Sequence, residues 1–93
     1  MSLTGKEKRE LRALGNRLKA EVHLGKEGVS EGTIRTIENS FNTKELIKIK
    51  LLETCPVDRD EAAGLLSEKT GAEIVQVLGN TILLYRQLSE DEE

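Results

Sequence analysis

Gly25-Lys26-Glu27-Gly28 is where residue types and spacing in this chain point most directly to chemistry. The two glycines follow a short apolar run, Val22 and Leu24, and precede a helix start at Ser30. A chain that turns through glycines from strand into helix leaves backbone N–H groups unpaired at the helix N-terminus. Such groups suit an anion, most often a phosphate. Lys26 adds a positive point charge inside the loop, and Glu27 adds a negative one that phosphate would repel. If Glu27 points outward, the amides and Lys26 can still act. Glycines at this spacing also make ordinary turns, so the rest of the chain must decide between the two.

Basic residues elsewhere extend the same chemistry. Lys48 and Lys50 alternate with Ile47, Ile49 and Leu51, so the lysines share one face of a strand and the apolar residues share the other. Lysines on the solvated side of a half-covered sheet also simply keep it soluble. Lys19 and Arg35 are expected to flank the loop and widen its positive field. Arg86, in the closing strand, either joins the face of Lys48 and Lys50 or is an ordinary strand-end charge. Lys6, Lys8, Arg9 and Arg12 are interrupted by Glu7 and Glu10, the pattern of a solvated helix face.

Other reactive side chains lack partners. His23 has no acid or nucleophile at a suitable spacing. Cys55 is the single cysteine and stands beside Pro56, with no second thiol or clustered histidine to complete a metal site. Asp58, Asp60 and Glu61 fit the negative first turn of a helix better than a metal site. Tyr85 is the single tyrosine, suited to a core or edge position or to stacking on a base. No catalytic residue, cofactor or metal is expected.

The elements that must position these residues follow from local signals. Thr4-Gly5-Lys6-Glu7 has the form of a capping box and opens a first helix, with Leu11, Leu14 and Leu18 at helical spacing and Gly15-Asn16 at its end. Glu21 to Leu24 alternates as a short strand ending at Gly25. Ser30 caps a second helix whose buried stripe is Ile34, Ile37 and Phe41, and Asn42-Thr43 breaks it. Leu46 to Leu52 is the clearest strand. After Cys55-Pro56, a third helix runs from Asp58 to Thr70, packs through Ala62, Leu65 and Leu66, and stops at Gly71. Glu73 to Leu78 and Thr81 to Arg86 are strands joined by Gly79-Asn80, a strong hairpin signal. The order is α-β-α-β-α-β-β. Strands separated by helices pair in parallel and the last hairpin is antiparallel, which gives an α/β fold with one mixed four-stranded sheet and packed helices.

Ninety-three residues suffice for one domain and one modest core. That domain is expected over 1–88, with an acidic, disordered tail at 89–93. One phenylalanine, one tyrosine and no tryptophan leave no large platform for stacking bases. The net charge of −3 hides an asymmetry. Residues 1–50 hold 11 Lys/Arg against 7 Asp/Glu, whereas residues 51–93 hold 3 against 10. A local basic face for phosphate is therefore possible in an acidic chain. No apolar run approaches a membrane span and no signal peptide is visible; with one cysteine, a reducing, cytoplasmic setting is expected.

Three separated segments, in order, resemble one family. Leu18-Lys19 with Val22-His23-Leu24-Gly25-Lys26-Glu27-Gly28-Val29, then Glu45-Leu46-Ile47-Lys48-Ile49-Lys50, then Val75 to Arg86, are similar to the CRM domain. That domain occurs in plant chloroplast intron-splicing factors and in stand-alone bacterial proteins of the YhbY type. The resemblance covers roughly Leu3 to Arg86. It implies an RNA-binding domain with the α-β-α-β-α-β-β order, related in architecture to the C-terminal domain of translation initiation factor three. It also implies association with precursors of the large ribosomal subunit. The family's G-x-x-G loop falls on Gly25, Lys26, Glu27 and Gly28, and its basic strand on Lys48 and Lys50. KH domains clamp a nucleotide backbone with a similar loop. There it joins two helices, whereas here it joins strand to helix, so the likeness is one of chemistry alone. This chain also departs from a strongly basic binder in its acidic second half.

The expectation is a non-catalytic RNA-binding protein, with ribosomal RNA as partner and no DNA or membrane. Its candidate contacts are Gly25, Lys26, Glu27, Gly28, Lys48, Lys50, Lys19, Arg35 and Arg86. One rival is a protein-interaction module that docks a ribosomal or RNA-processing protein. The other is an enzyme using the loop on a small phosphorylated substrate, which lacks a general base other than His23 or Glu27.

Overall fold

The computed structural model describes residues 3–88, so the tail expected at 89–93 lies outside the described residues. Among them the chain forms α1 (Gly5–Gly15), β1 (Val22–Leu24), α2 (Glu31–Phe41), β2 (Leu46–Leu51), α3 (Arg59–Thr70), β3 (Glu73–Leu78) and β4 (Thr81–Tyr85). The expected order is met element by element. The strands form one sheet in the order β1-β2-β4-β3, with β1 parallel to β2 and the other neighbours antiparallel.

Each helix begins where a side chain can accept an otherwise unpaired N–H. The Glu7 N–H donates to Thr4 Oγ1 at 3.1 Å, and the Thr4 N–H donates back to Glu7 Oε1 at 2.9 Å, completing the capping box. Ser30 Oγ receives the Thr33 N–H and Asp58 Oδ1 receives the Glu61 N–H. α3 stops at Gly71, which takes the left-handed conformation at φ +72°.

α2 and α3 cover one face of the sheet. Their buried side chains Ile37, Phe41, Ala62, Ala63 and Leu66 pack with Val22, Leu24, Ile47, Ile49, Leu51, Ile82 and Leu84. The expected face of α3 shifts slightly, because Ala63 is buried while Leu65 is only half-buried. α1 lies across the other face, over Leu83. Its inward stripe is not Leu11, Leu14 and Leu18. Leu14 and Leu18 are 54% and 39% exposed, and the less exposed positions are Lys8, Leu11, Arg12 and Gly15. Those four recur at i, i+3, i+4 and i+7, so the helical period holds on a different face. Lys8 and Arg12 are half-buried where leucine was expected, a place that long side chains with apolar stems and charged tips tolerate.

Candidate functional site

The parallel pairing of β1 with β2 sends the carboxyl ends of both strands to the same end of the sheet. The segments that follow them are therefore neighbours, which is where open sheets with parallel strands commonly place ligands. The first segment is Gly25-Lys26-Glu27-Gly28. It closes as a tight turn, the Gly28 N–H donating to the Gly25 carbonyl at 2.9 Å. Lys26 and Glu27 occupy the exposed tip, and Gly28 is buried at φ +62°. A side chain at 28 would be strained there and would also press on Pro56, whose Cγ lies 3.3 Å from an ideal Cβ position. At Gly25 the corresponding neighbours are Thr54 Oγ1 and Leu52 Cδ1, at 3.6 and 3.7 Å. Residues 52–56 thus form a wall behind the loop, a contribution that no local signal in the sequence marks.

The loop's donors are fewer than the sequence suggests, because the Gly28 amide is spent inside the turn. The Lys26, Glu27, Glu31 and Gly32 N–H groups have no partner among the described residues. Glu31 and Gly32 open α2, and Lys26 and Glu27 stand exposed at the tip of the turn that leads into it. This arrangement can hold an oxyanion through amides and one cation. Glu27 and Glu31 oppose it electrostatically, and Lys26 offsets part of that repulsion.

Lys48 and Lys50 do share the sheet face away from the core, but they are not equivalent. Lys48 Nζ donates to the carbonyl oxygens of Gly15 and Leu18, each at 3.2 Å, at the end of α1. Its charge caps that helix and offsets its negative pole. Lys50 is exposed and stands beside His23 of β1, with which it is in register.

Two expected placements are corrected. Lys19 does not flank the loop: it precedes β1 at the amino end of that strand, whereas the loop follows the carboxyl end. It lies one residue past Leu18, whose carbonyl Lys48 engages. Arg86 does not join the face of Lys48 and Lys50. Its Nη1 donates to Glu38 Oε1 and to the Thr70 carbonyl, both at 2.8 Å, and its guanidinium lies 4.7 Å from the centre of the Phe41 ring. These partners belong to α2 and α3 on the opposite face. Arg35 is exposed on α2 and lines an open groove of about 650 Å³ next to the loop, in which it and Lys69 stand with Glu31 and Glu38 among Val29, Ser30 and Ile34.

Among the described residues no group of three or more His, Cys, Asp or Glu side chains is arranged to hold a metal, and no helix is long and apolar enough to cross a membrane.

Known proteins resemble this chain in sequence and in overall structure. The solution structure of the Staphylococcus aureus protein SAV1595 superposes with a TM-score of 0.80 at 40% identity, covering 97% of this chain and 94% of that one. The Bacillus subtilis protein named "Probable RNA-binding protein YqeI" is 36% identical over 91 residues, spanning 98% of this chain and 95% of its own. A Haemophilus influenzae protein named "RNA-binding protein" is 34% identical, spanning 96% of this chain and 90% of its own. The Arabidopsis thaliana CRM-domain containing factor CFM2, chloroplastic, matches 92% of this chain at 33% identity with only 8% of its length. The family model for the CRS1 / YhbY (CRM) domain matches residues 3–86. By sequence, element order and sheet topology, this chain belongs to the CRS1/YhbY (CRM) domain family.

Proposed function

We propose that this chain is a non-catalytic RNA-binding protein that associates with precursors of the large ribosomal subunit in the cytoplasm. The observation that carries the RNA reading is the Gly25–Gly28 turn, which exposes Lys26 at its tip a few residues before the unpaired amides at the start of α2. Relatives named as RNA-binding across nearly the whole chain support it. Lys50 adds charge on the open face of β2, Arg35 on α2 at the other side of the sheet, and Lys19 near the start of β1. Arg86 contributes indirectly, by fastening β4 to both helices of the core face. With few aromatic side chains, recognition rests chiefly on backbone charge and shape.

Binding of a ribosomal RNA fragment, titrated at several salt concentrations, tests the loop. Lys26→Asp combined with Glu27→Asp should weaken binding clearly at moderate salt and lower the salt slope by about one unit. Unchanged affinity would remove the loop from the interface. For the ribosomal assignment, extract sedimented at low magnesium should carry the protein with large-subunit precursors and release it at higher salt. A peak only among free proteins at both salts would overturn that assignment, and salt-resistant binding that survives nuclease would favour a protein partner.

A further inference from the structure

The register of the sheet places four residues from four strands in one straight row. Leu78 of β3 is opposite Thr81 of β4, Thr81 is opposite Lys50 of β2, and Lys50 is opposite His23 of β1. All four lie on the face away from α2 and α3, because the residues adjacent to them in the strands (Val22, Leu24, Ile49, Leu51, Val77 and Ile82) pack in or against the core. α1 covers this face only as far as the preceding row, where Gly15 sits on Leu83 and Lys48 binds the end of the helix. The row of four is left open: Leu78 is 60% exposed, His23 and Lys50 are exposed, and Thr81 is half-buried.

The composition of this strip selects its occupant. This row carries no carboxylate, although the chain as a whole has more acids than bases, and in the preceding row of Gln76, Leu83, Lys48 and Glu21 the carboxylate of Glu21 is paired with Lys44 Nζ at 3.0 Å. The acids near this end of the sheet, Glu27, Glu53, Asp58, Asp60 and Glu61, lie on the loops after β1 and β2 and at the start of α3, and Glu27 shares a shallow pocket with His23. Leu18, exposed just past the end of α1, borders the strip through its carbonyl, which accepts from Lys48. Lys50 and His23 at one end of the row and exposed Leu78 at the other complement a polymer that has phosphates along one edge and apolar rings along the other. Three inter-strand steps of about 4.8 Å carry the row across about 14 Å of surface. A strand crossing it meets Lys50 and His23 with its phosphates and Leu78 with a base. In a duplex the base faces are stacked away, so Leu78 would have nothing to touch.

We infer that the His23–Lys50–Thr81–Leu78 row is a track for single-stranded RNA, continuing the path that begins at the Gly25–Gly28 loop. The inference rests on the RNA-binding function proposed above and adds the form of RNA and a base contact. It is tested by measuring binding of the full chain to a single-stranded oligoribonucleotide and to its duplex, by fluorescence anisotropy across a salt series. The variants are Leu78→Ser, Lys50→Ala, and the Lys26→Asp, Glu27→Asp pair; Leu78 and Lys50 are exposed, and an unchanged Tm confirms folding. Leu78→Ser should weaken single-strand binding about three- to tenfold, with the salt slope unchanged and the duplex unaffected, in line with loss of a base contact. Lys50→Ala should weaken binding and lower the single-strand salt slope by about 0.7. If Leu78→Ser and Lys50→Ala bind single strands normally while the loop pair is impaired, the track is wrong and the RNA-binding proposal survives. If the unmodified protein binds neither form, both fall. Should Leu78→Ser abolish only a nuclease-resistant protein contact, the strip is a protein surface and the inference is overturned.

Discussion

The backbone of Gly15 rests on the side chain of Leu83 so closely that a Cβ at position 15 would stand 2.3 Å from Leu83 Cδ1 and 3.1 Å from Cγ. This contact seats α1 on the sheet and brings the Gly15 carbonyl within reach of Lys48. A glycine in this place looks like a helix stop, yet the helix is capped by Asn16 in an ordinary right-handed conformation. Its function is close approach, and the missing side chain is the space that Leu83 fills.

Gly15→Ala should therefore destabilise the fold. Overpacking of this kind costs about 1–3 kcal/mol, and the better helix propensity of alanine returns only about 1 kcal/mol. Gly5→Ala, which meets nothing within 4 Å, should be neutral or slightly stabilising. Urea unfolding of the two variants gives the comparison, and equal midpoints would refute the close-packing account.

The two glycines of the 25–28 turn should behave differently from each other. Gly28 has φ +62°, and there a side chain costs about 1–2 kcal/mol before any contact with Pro56 is counted. Gly25 does not have a positive φ and has room for a methyl group. Thermal unfolding should show a lower Tm for Gly28→Ala and little change for Gly25→Ala. The reverse order would mean that the turn is built another way.

Replacing Arg86 should affect stability more than RNA affinity. Arg86→Met removes the hydrogen bonds to Glu38 and Thr70 and the cation over Phe41. The pair with Glu38 is partly exposed and worth little by itself; with the ring contact and the bond to Thr70, the loss is about 1–2 kcal/mol. Binding measured well below Tm should stay within about twofold of the parent, less than the tenfold that 1.4 kcal/mol represents. A large loss of affinity in a fully folded Arg86→Met protein would return Arg86 to the interface.

Tyr85 should titrate above its ordinary value of 10.0, because burial disfavours the phenolate and the carboxylates of Glu45 and Glu7 repel it. Folding thus favours the protonated phenol. That contribution is complete below pH 10 and is lost as pH rises through the folded-state value. The protein has one tyrosine and no tryptophan, so tyrosinate absorbance reports this group alone. The midpoint should fall toward 10 in concentrated urea. An identical midpoint in both states would show that its surroundings do not matter.

Much of this molecule is legible in its amino-acid order, because the decisive signals are local. Thr4 with Glu7, Ser30, Asp58 and Gly71 bound the helices through hydrogen bonds or a backbone conformation made within a few residues. Gly79-Asn80 joins β3 to β4, and the alternation in Ile47-Lys48-Ile49-Lys50-Leu51 identifies both faces of β2. The turn at Gly25–Gly28 was evident as well, since it closes on itself. Arg86 was harder to place. The run Ile82-Leu83-Leu84 is buried on both sides of the sheet, so it has no alternation from which to tell which face position 86 shares. Leu14 misled because Gly15 offers the sheet a closer approach, and Leu18 because it lies beyond the end of α1.

The amino-acid order by itself determined the element sequence, the caps, the hairpin and the presence of a glycine turn carrying one lysine. Tertiary structure alone decided which charges remain available. It engaged Lys48 with the end of α1 and Arg86 with Glu38 and Thr70, and it left Lys50 open beside His23. The physical reason is distance along the chain. A cap or a turn is settled among neighbours, whereas Lys48 and Gly15, or Lys50 and His23, meet only after loop closure and sheet pairing have set their register.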